Sequence, residues 1–366
     1  MSFFYLLAFW LASLSHVSAQ TWSDCNPLKE DCPNDPALGS EHLWTFNETM
    51  NAKLWNTTNG EIDWTEKGAE FSIKEKLQSP TLQSTFYIFF GVVETHLKMA
   101  KGNGIVSSVV LQSDDLDEID WEWIGSNNTE VQSNYFGKGD DSSFDRGGYH
   151  YVPNADTEFH NYTTYWTQDK LEWWIDDELV RTLPYAEAKD GSRYPQTPSN
   201  IRFGIWPAGD GDNKEGVIAW AGGEVDYDAG PYTMVIESVR IQDFHSGKEY
   251  EYKDDSGSWE SINVIKGNST AVEEINKPPP KSLSEKWDDL PTGAHAGVFI
   301  GAAAVGAMLI AGFIFFFIRQ RRKGRLEQAL DDTNWNNERP ERTEMSNAQS
   351  DWRQSEWRHN GYSQVN

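Results

Sequence analysis

Between Asp117 and Trp123 the chain alternates acidic and apolar side chains, with Glu118, Asp120 and Glu122 set against Ile119, Trp121 and Trp123. A period of two is the pattern of a half-buried strand, so the three carboxylates share one face and the apolar residues the other. Like charges this close raise one another's pKa and are a poor choice for stability. They suit the cleavage of a glycosidic bond. The retaining form of that reaction needs one carboxylate as nucleophile and one carboxylic acid as acid/base, about 5–5.5 Å apart. On an extended strand the Cα atoms of Glu118 and Glu122 lie roughly 13 Å apart, and two long side chains leaning inward on a concave sheet close most of that gap. The expected roles are Glu118 as nucleophile, Glu122 as acid/base, and Asp120 as the group that holds Glu118 ionised and oriented.

Two other readings compete. A calcium site would satisfy clustered carboxylates, but 114–122 lacks the glycine of an EF-hand loop, and 209–216 (GDGDNKEG) also fails that pattern and reads as a turn. The acids could also form a solvated strand face.

The elements around the acids are strand-like. Runs such as GIVSSVVLQ, NYTTYWTQ, NIRFGIW and TMVIESVRIQDF recur between turn signals, and Asp176-Asp177 marks a hairpin within KLEWWIDDELVRTL. No soluble stretch carries a helical period over three turns. Residues 39–265 therefore read as one all-β unit, a sandwich or jelly roll. With 17 Trp, 14 Tyr and 18 Phe the core can be large, and some rings remain for binding.

The segment from Tyr87 to Gly125 (YIFFGVVETHLKMAKGNGIVSSVVLQSDDLDEIDWEWIG) resembles the core of glycoside hydrolase family 16, whose acid strand carries Glu-x-Asp-x-Glu. The stretch 159–183 resembles that family's following strands. Residues 21–39 (TWSDCNPLKEDCPNDPALG) and 220–227 (WAGGEVDY) narrow the resemblance to the fungal Crh group of chitin–glucan transglycosylases, over about residues 21–245. It implies a jelly-roll sandwich of two antiparallel sheets with a concave substrate cleft and no cofactor. It also implies a retaining enzyme that cleaves β-1,4 bonds in chitin and passes the chain end to β-glucan, cross-linking the cell wall. A plain chitin or β-glucan hydrolase and a non-catalytic wall protein that binds carbohydrate are the alternatives. Carried over residue by residue, Trp206 and Trp220 match sugar-contacting positions and Arg202 a polar contact. Val217 stands where the group usually has Thr. Gln132 and Asn134, on the next expected strand, share a face that could line the cleft, and Lys138 is a further candidate contact. His160 reads as structural, Trp121 and Trp123 as core.

The termini set the topology. Residues 1–19 read as a secretory signal ending Val17-Ser18-Ala19. In the oxidising compartment beyond it, Cys25 and Cys32, the only cysteines, pair and pin a segment at 20–38. A polar, Pro-containing stalk covers 266–293. Residues 298–318 form an uncharged run long enough to span a bilayer of about 30 Å, and Arg319, Arg321, Arg322, Lys323 and Arg325 follow at once, placing 319–366 in the cytoplasm as a disordered tail. A removable lipid-anchor signal would instead end the chain. All five acceptor asparagines (Asn47, Asn56, Asn127, Asn161, Asn268) precede the span, as expected of a plasma-membrane protein with its catalytic domain facing the wall. Of the net −26, the tail carries 9 basic and 8 acidic residues. The outer part keeps 22 basic and 49 acidic, a net of −27. That repels nucleic acid and leaves neutral polysaccharides as partners.

Overall fold

A computed structural model describes residues 22–143, 145–278 and 283–359, with side chains up to Trp335. The expected signal peptide lies outside the described residues. Two compact units divide at Lys277/Pro278.

The first unit is a sandwich of antiparallel sheets. The seven-stranded sheet runs, in spatial order, Gly148–Tyr151, Glu130–Phe136, Glu118–Ile124, Val106–Ser113, Ser199–Trp206, Thr81–Ile88, Trp55–Asn59. The larger sheet runs Glu178–Pro184, Lys170–Ile175, His160–Trp166, Gly91–Lys98, Tyr232–Asp243, Gly68–Ile73, Ile62–Thr65, and Glu41–Thr45 also pairs with Tyr232–Asp243. A small sheet joins Asp35–Pro36, Glu249–Tyr252 and Ile262–Ile265.

Alternation drives this arrangement. In His160–Trp166 every second side chain is buried and the rest are half-exposed, so one face of the strand enters the core. The hairpin expected at Asp176-Asp177 forms. Both residues take positive φ, 48° and 65°, the pair of left-handed conformations a tight two-residue hairpin turn requires and Asp tolerates. Between the sheets, Trp121, Trp123, Trp166 and Trp173 are almost wholly buried. The Trp123 and Tyr162 rings meet edge-to-face at 4.5 Å across the sandwich. Each such side chain contributes about 1.5–3 kcal/mol of burial free energy. The Trp173 indole also donates to the Asp120 carbonyl at 3.2 Å, so the core holds the acid strand from behind.

The first unit extends further than the sequence implies. The expected stalk from 266 is in part a docked helix, Thr270–Ile275, whose Ser269 hydroxyl accepts from Val272 N at 3.0 Å and donates to the Leu38 carbonyl at 2.8 Å. Ala271 is buried, and Glu274 meets Lys53 at 2.9 Å. A six-residue helix is too short to show a period, so its single buried face is not visible in the sequence.

The second unit contains a helix at Leu283–Asp288 and a long one at Thr292–His359. The expected span lies within the latter. Thr292–Trp335 is the one candidate among the described residues long and apolar enough to cross a membrane, with a mean hydropathy of 2.4 in its best window. Beyond Arg319, where the sequence points to disorder, the backbone stays helical to His359. Good helix formers from Leu326 to Leu330 continue a helix already nucleated by the span.

Candidate active site

Register places the site. In antiparallel sheets, paired residues point to the same face. Glu118 pairs with Gln112 and Phe136, Asp120 with Val110 and Asn134, and Glu122 with Ser108 and Gln132. Asn200 and Arg202 extend the first two rows on the far side. The opposite face carries Ile119, Trp121, Trp123, Val109, Leu111, Ile201 and Phe203, all in the core. The acid face is therefore polar, yet Ser108, Gln112, Gln132, Asn134, Asn200 and Arg202 are all buried. Polar side chains turned away from the core yet shielded from water line a recessed cleft.

Within it Asp120 is 2% exposed, while Glu118 and Glu122 are half-buried. Burial pushes the Glu118 carboxyl up to about 7 and that of Glu122 to about 8, the Glu118 charge adding to the second. Asp120 is pushed well above the usual carboxylate range, first by burial, then by the charges of Glu118 and Glu122. Both Asp120 carboxyl oxygens are buried without a hydrogen-bond partner among the described residues, and the neighbouring Glu118 carboxyl favours a protonated Asp120 beside an ionised Glu118. The guanidinium groups of Arg202 and Arg146 also favour the Glu118 carboxylate. Glu118 thus ionises before Glu122. One acid is charged while the other still holds its proton, the division of labour that general-acid cleavage with a carboxylate nucleophile needs.

Arg202 is held from three sides. Its Nε donates to Asn200 Oδ1 at 2.8 Å, its Nη2 to the Trp22 carbonyl at 3.0 Å, and it stacks on the Trp22 ring at 5.0 Å. Trp22 N in turn donates to Gln112 Oε1 at 3.0 Å. The Cys25–Cys32 disulfide forms as expected, and its loop follows directly on this clamp. The structure therefore puts Arg202 behind Glu118 as an electrostatic support tied to the N-terminal segment.

Trp206 and Trp220 lie 6.1 Å apart at one end of the cleft strands, beyond the Glu122 row. Val217, on the short helix Glu215–Trp220, packs against the apolar cluster of Val106, Trp206, Ala208 and Ala221, so an apolar residue fits where a hydroxyl was expected. Gln132 and Asn134 are in register with Glu122 and Asp120 on the cleft face. Lys138 departs from expectation. Its Nζ turns inward, 3.6 Å from the fully buried Asp117, and its backbone N donates to the same carboxylate at 2.9 Å. Charge pairing with the buried Asp117, just before the acid strand, outweighs exposure to the cleft. His160 bonds Asp176 and the Pro153 carbonyl, a structural pairing. Among the acceptor asparagines, Asn47, Asn56 and Asn268 are exposed and Asn127 and Asn161 half-exposed. Trp22, Gln112, Asn200 and Arg146 also belong to the site, and no sequence spacing announces them.

The sandwich and the acid row define a glycoside hydrolase family 16 enzyme, of the glycosyl hydrolase or transferase kind. The profile of the glycosyl hydrolases family 16 matches residues 46–222. Crh-like protein 3 of Aspergillus fumigatus is 65% identical over 367 positions, covering 100% of both chains. A Crh-like protein of Arthroderma benhamiae is 52% identical over 87% of this chain and 88% of its own. Among solved structures, the Crh5 transglycosylase in complex with NAG aligns at a TM-score of 0.64 with 47% identity, covering 66% of this chain and 99% of that one. The chain belongs to the Crh-like family of cell-wall transglycosylases.

Proposed function

We propose that the protein is a retaining transglycosylase that cleaves a β-1,4 bond in chitin and joins the released chain end to β-glucan. The observation that carries this reading is the row Glu118, Asp120, Glu122 on a shielded polar face. The Glu118 carboxylate attacks the anomeric carbon while the Glu122 proton moves to the departing oxygen, leaving a glycosyl ester on Glu118. An acceptor hydroxyl then gives its proton to Glu122 and attacks the same carbon, releasing Glu118. Two inversions retain the configuration. A chitin donor is supported by the similar Crh5 transglycosylase bound to NAG, the sugar unit of chitin. The Trp206–Trp220 pair supplies rings for sugar faces and Gln132 and Asn134 supply hydrogen-bonding groups. The protein sits in the plasma membrane by one span, its catalytic unit facing the wall and carrying glycans, its C-terminus cytoplasmic.

Glu122→Gln with an activated aryl chitin oligosaccharide tests the mechanism. Ester formation no longer needs the acid, whereas its breakdown still needs the base. A mass increase of one oligosaccharide unit, mapped to the peptide containing Glu118, is expected. An adduct elsewhere, or turnover equal to the parent, refutes the assignment.

A further inference from the structure

Arg146 carries hydrogen-bond donors that no described residue accepts from. The residue is 7% exposed. Its Nη2 donates to the carbonyls of Asp140 and Ser143, both at 2.8 Å, while Nε and Nη1 are buried without a partner among the described residues. Buried guanidinium donors left unpaired are unfavourable, and each calls for an acceptor. Their place in the fold says which. The guanidinium lies over the Phe136 ring at 4.4 Å, and Phe136 is the register partner of Glu118. Arg146 therefore stands beside the nucleophile, on the side opposite Arg202, and its charge acts on both Glu118 and Asp120.

Other side chains fix the segment that carries it. Arg193 donates from Nε to Asp140 Oδ2 at 2.7 Å and from Nη1 to Ser143 Oγ at 3.2 Å. Arg181 Nη2 donates to the Arg146 carbonyl at 2.7 Å. The segment is thus held by Arg181 and Arg193 as well as by Arg146 Nη2, and Nε and Nη1 are presented at a fixed position.

We propose that Arg146 is a substrate-binding residue whose Nε–H and Nη1–H donate to hydroxyl or carbonyl oxygens of the sugar seated against Glu118. The ligand class is a neutral polysaccharide, recognised by hydrogen bonds rather than by charge. This rests on the proposed glycosyl transfer, and the test separates the two.

Binding of a chitin oligosaccharide is measured by calorimetry to Glu118→Gln and to Glu118→Gln/Arg146→Lys. Lysine keeps the charge and loses the planar pair of donors. Affinity is expected to fall about tenfold to a hundredfold with Tm unchanged. In the active protein, Arg146→Lys should leave the acidic limb of the pH–rate profile in place. Glu118 faces Asp120 and Glu122 on its own strand, Arg202 from Ser199–Trp206, and Arg146. Arg146→Gln removes one of the two cations and should move that limb upward. Equal affinity in the lysine variant means that water satisfies the donors and overturns the inference. A fall in Tm with unchanged affinity also overturns it, assigning Arg146 to the loop alone. No binding even to Glu118→Gln overturns the proposed function and this inference with it.

Discussion

Replacing Asp120 tests the electrical logic of the site. Activity requires Glu118 ionised and Glu122 protonated, so kcat/KM rises through the titration of Glu118, near 7, and falls through that of Glu122, near 8. A protonated Asp120 next to the Glu118 carboxylate favours its charged form and so holds the Glu118 pKa down. Asp120→Leu keeps the branched shape, with bulkier methyl groups, and removes the donor. A hydrogen bond to a charged group contributes about 1.5–3 kcal/mol, and one pKa unit corresponds to 1.36 kcal/mol. The acidic limb should therefore move upward by about 1–2 pH units. The alkaline limb should not rise, because Glu122 is raised by burial and by the Glu118 charge rather than by Asp120, so the two limbs draw together and the active window narrows. Asp120→Asn retains an N–H donor and should leave the acidic limb close to the parent. The assay is kcat/KM against pH with an aryl chitin oligosaccharide. An acidic limb that stays or moves down in Asp120→Leu, or moves equally in both variants, refutes the reasoning.

Two further outcomes are expected. Asp115, buried in the turn that leads into the acid strand, is pushed up to about 7 by burial and by the Asp117 charge; as pH rises from about 4 to 7 the unfolded chain releases protons that the folded one keeps, so its contribution to stability is full at low pH and is lost across that window. Thermal melts of residues 20–277 should show Tm falling from pH 5 to pH 8, and Asp115→Asn should flatten the slope; a Tm that rises over this range contradicts it. Cys25→Ser/Cys32→Ser should change global stability by about 2 kcal/mol or less, because the closed loop is short. It should also lower kcat/KM about twofold to thirtyfold by loosening the Trp22 stack on Arg202, a loss that disulfide reduction reproduces and that unchanged kinetics would exclude.

Local patterns carried far into this fold. Strict alternation around Glu118 predicted both the strand and the shared face of its acids, and the Asp176-Asp177 pair announced a hairpin because few residues tolerate two successive left-handed conformations. Pairing across long sequence separations was not legible. Nothing in the spacing brings Trp22 onto Arg202, 180 residues away, or sets Arg146 over Phe136 beside the nucleophile. Lys138 follows the cleft strand Glu130–Phe136 in sequence, yet its amine turns to the buried Asp117. Where a long-range register or a buried charge decides, the residue type names a candidate and only the fold gives its direction.

The most direct test incubates the catalytic unit, residues 20–277, with chitin oligosaccharides and a fluorescent β-glucan, and sizes the labelled products by mass. Glucan carrying chitin fragments, formed by the parent and absent with Glu118→Gln, is the predicted result. Shortened chitin with unmodified glucan, or labelled product that persists in Glu118→Gln, would contradict the account.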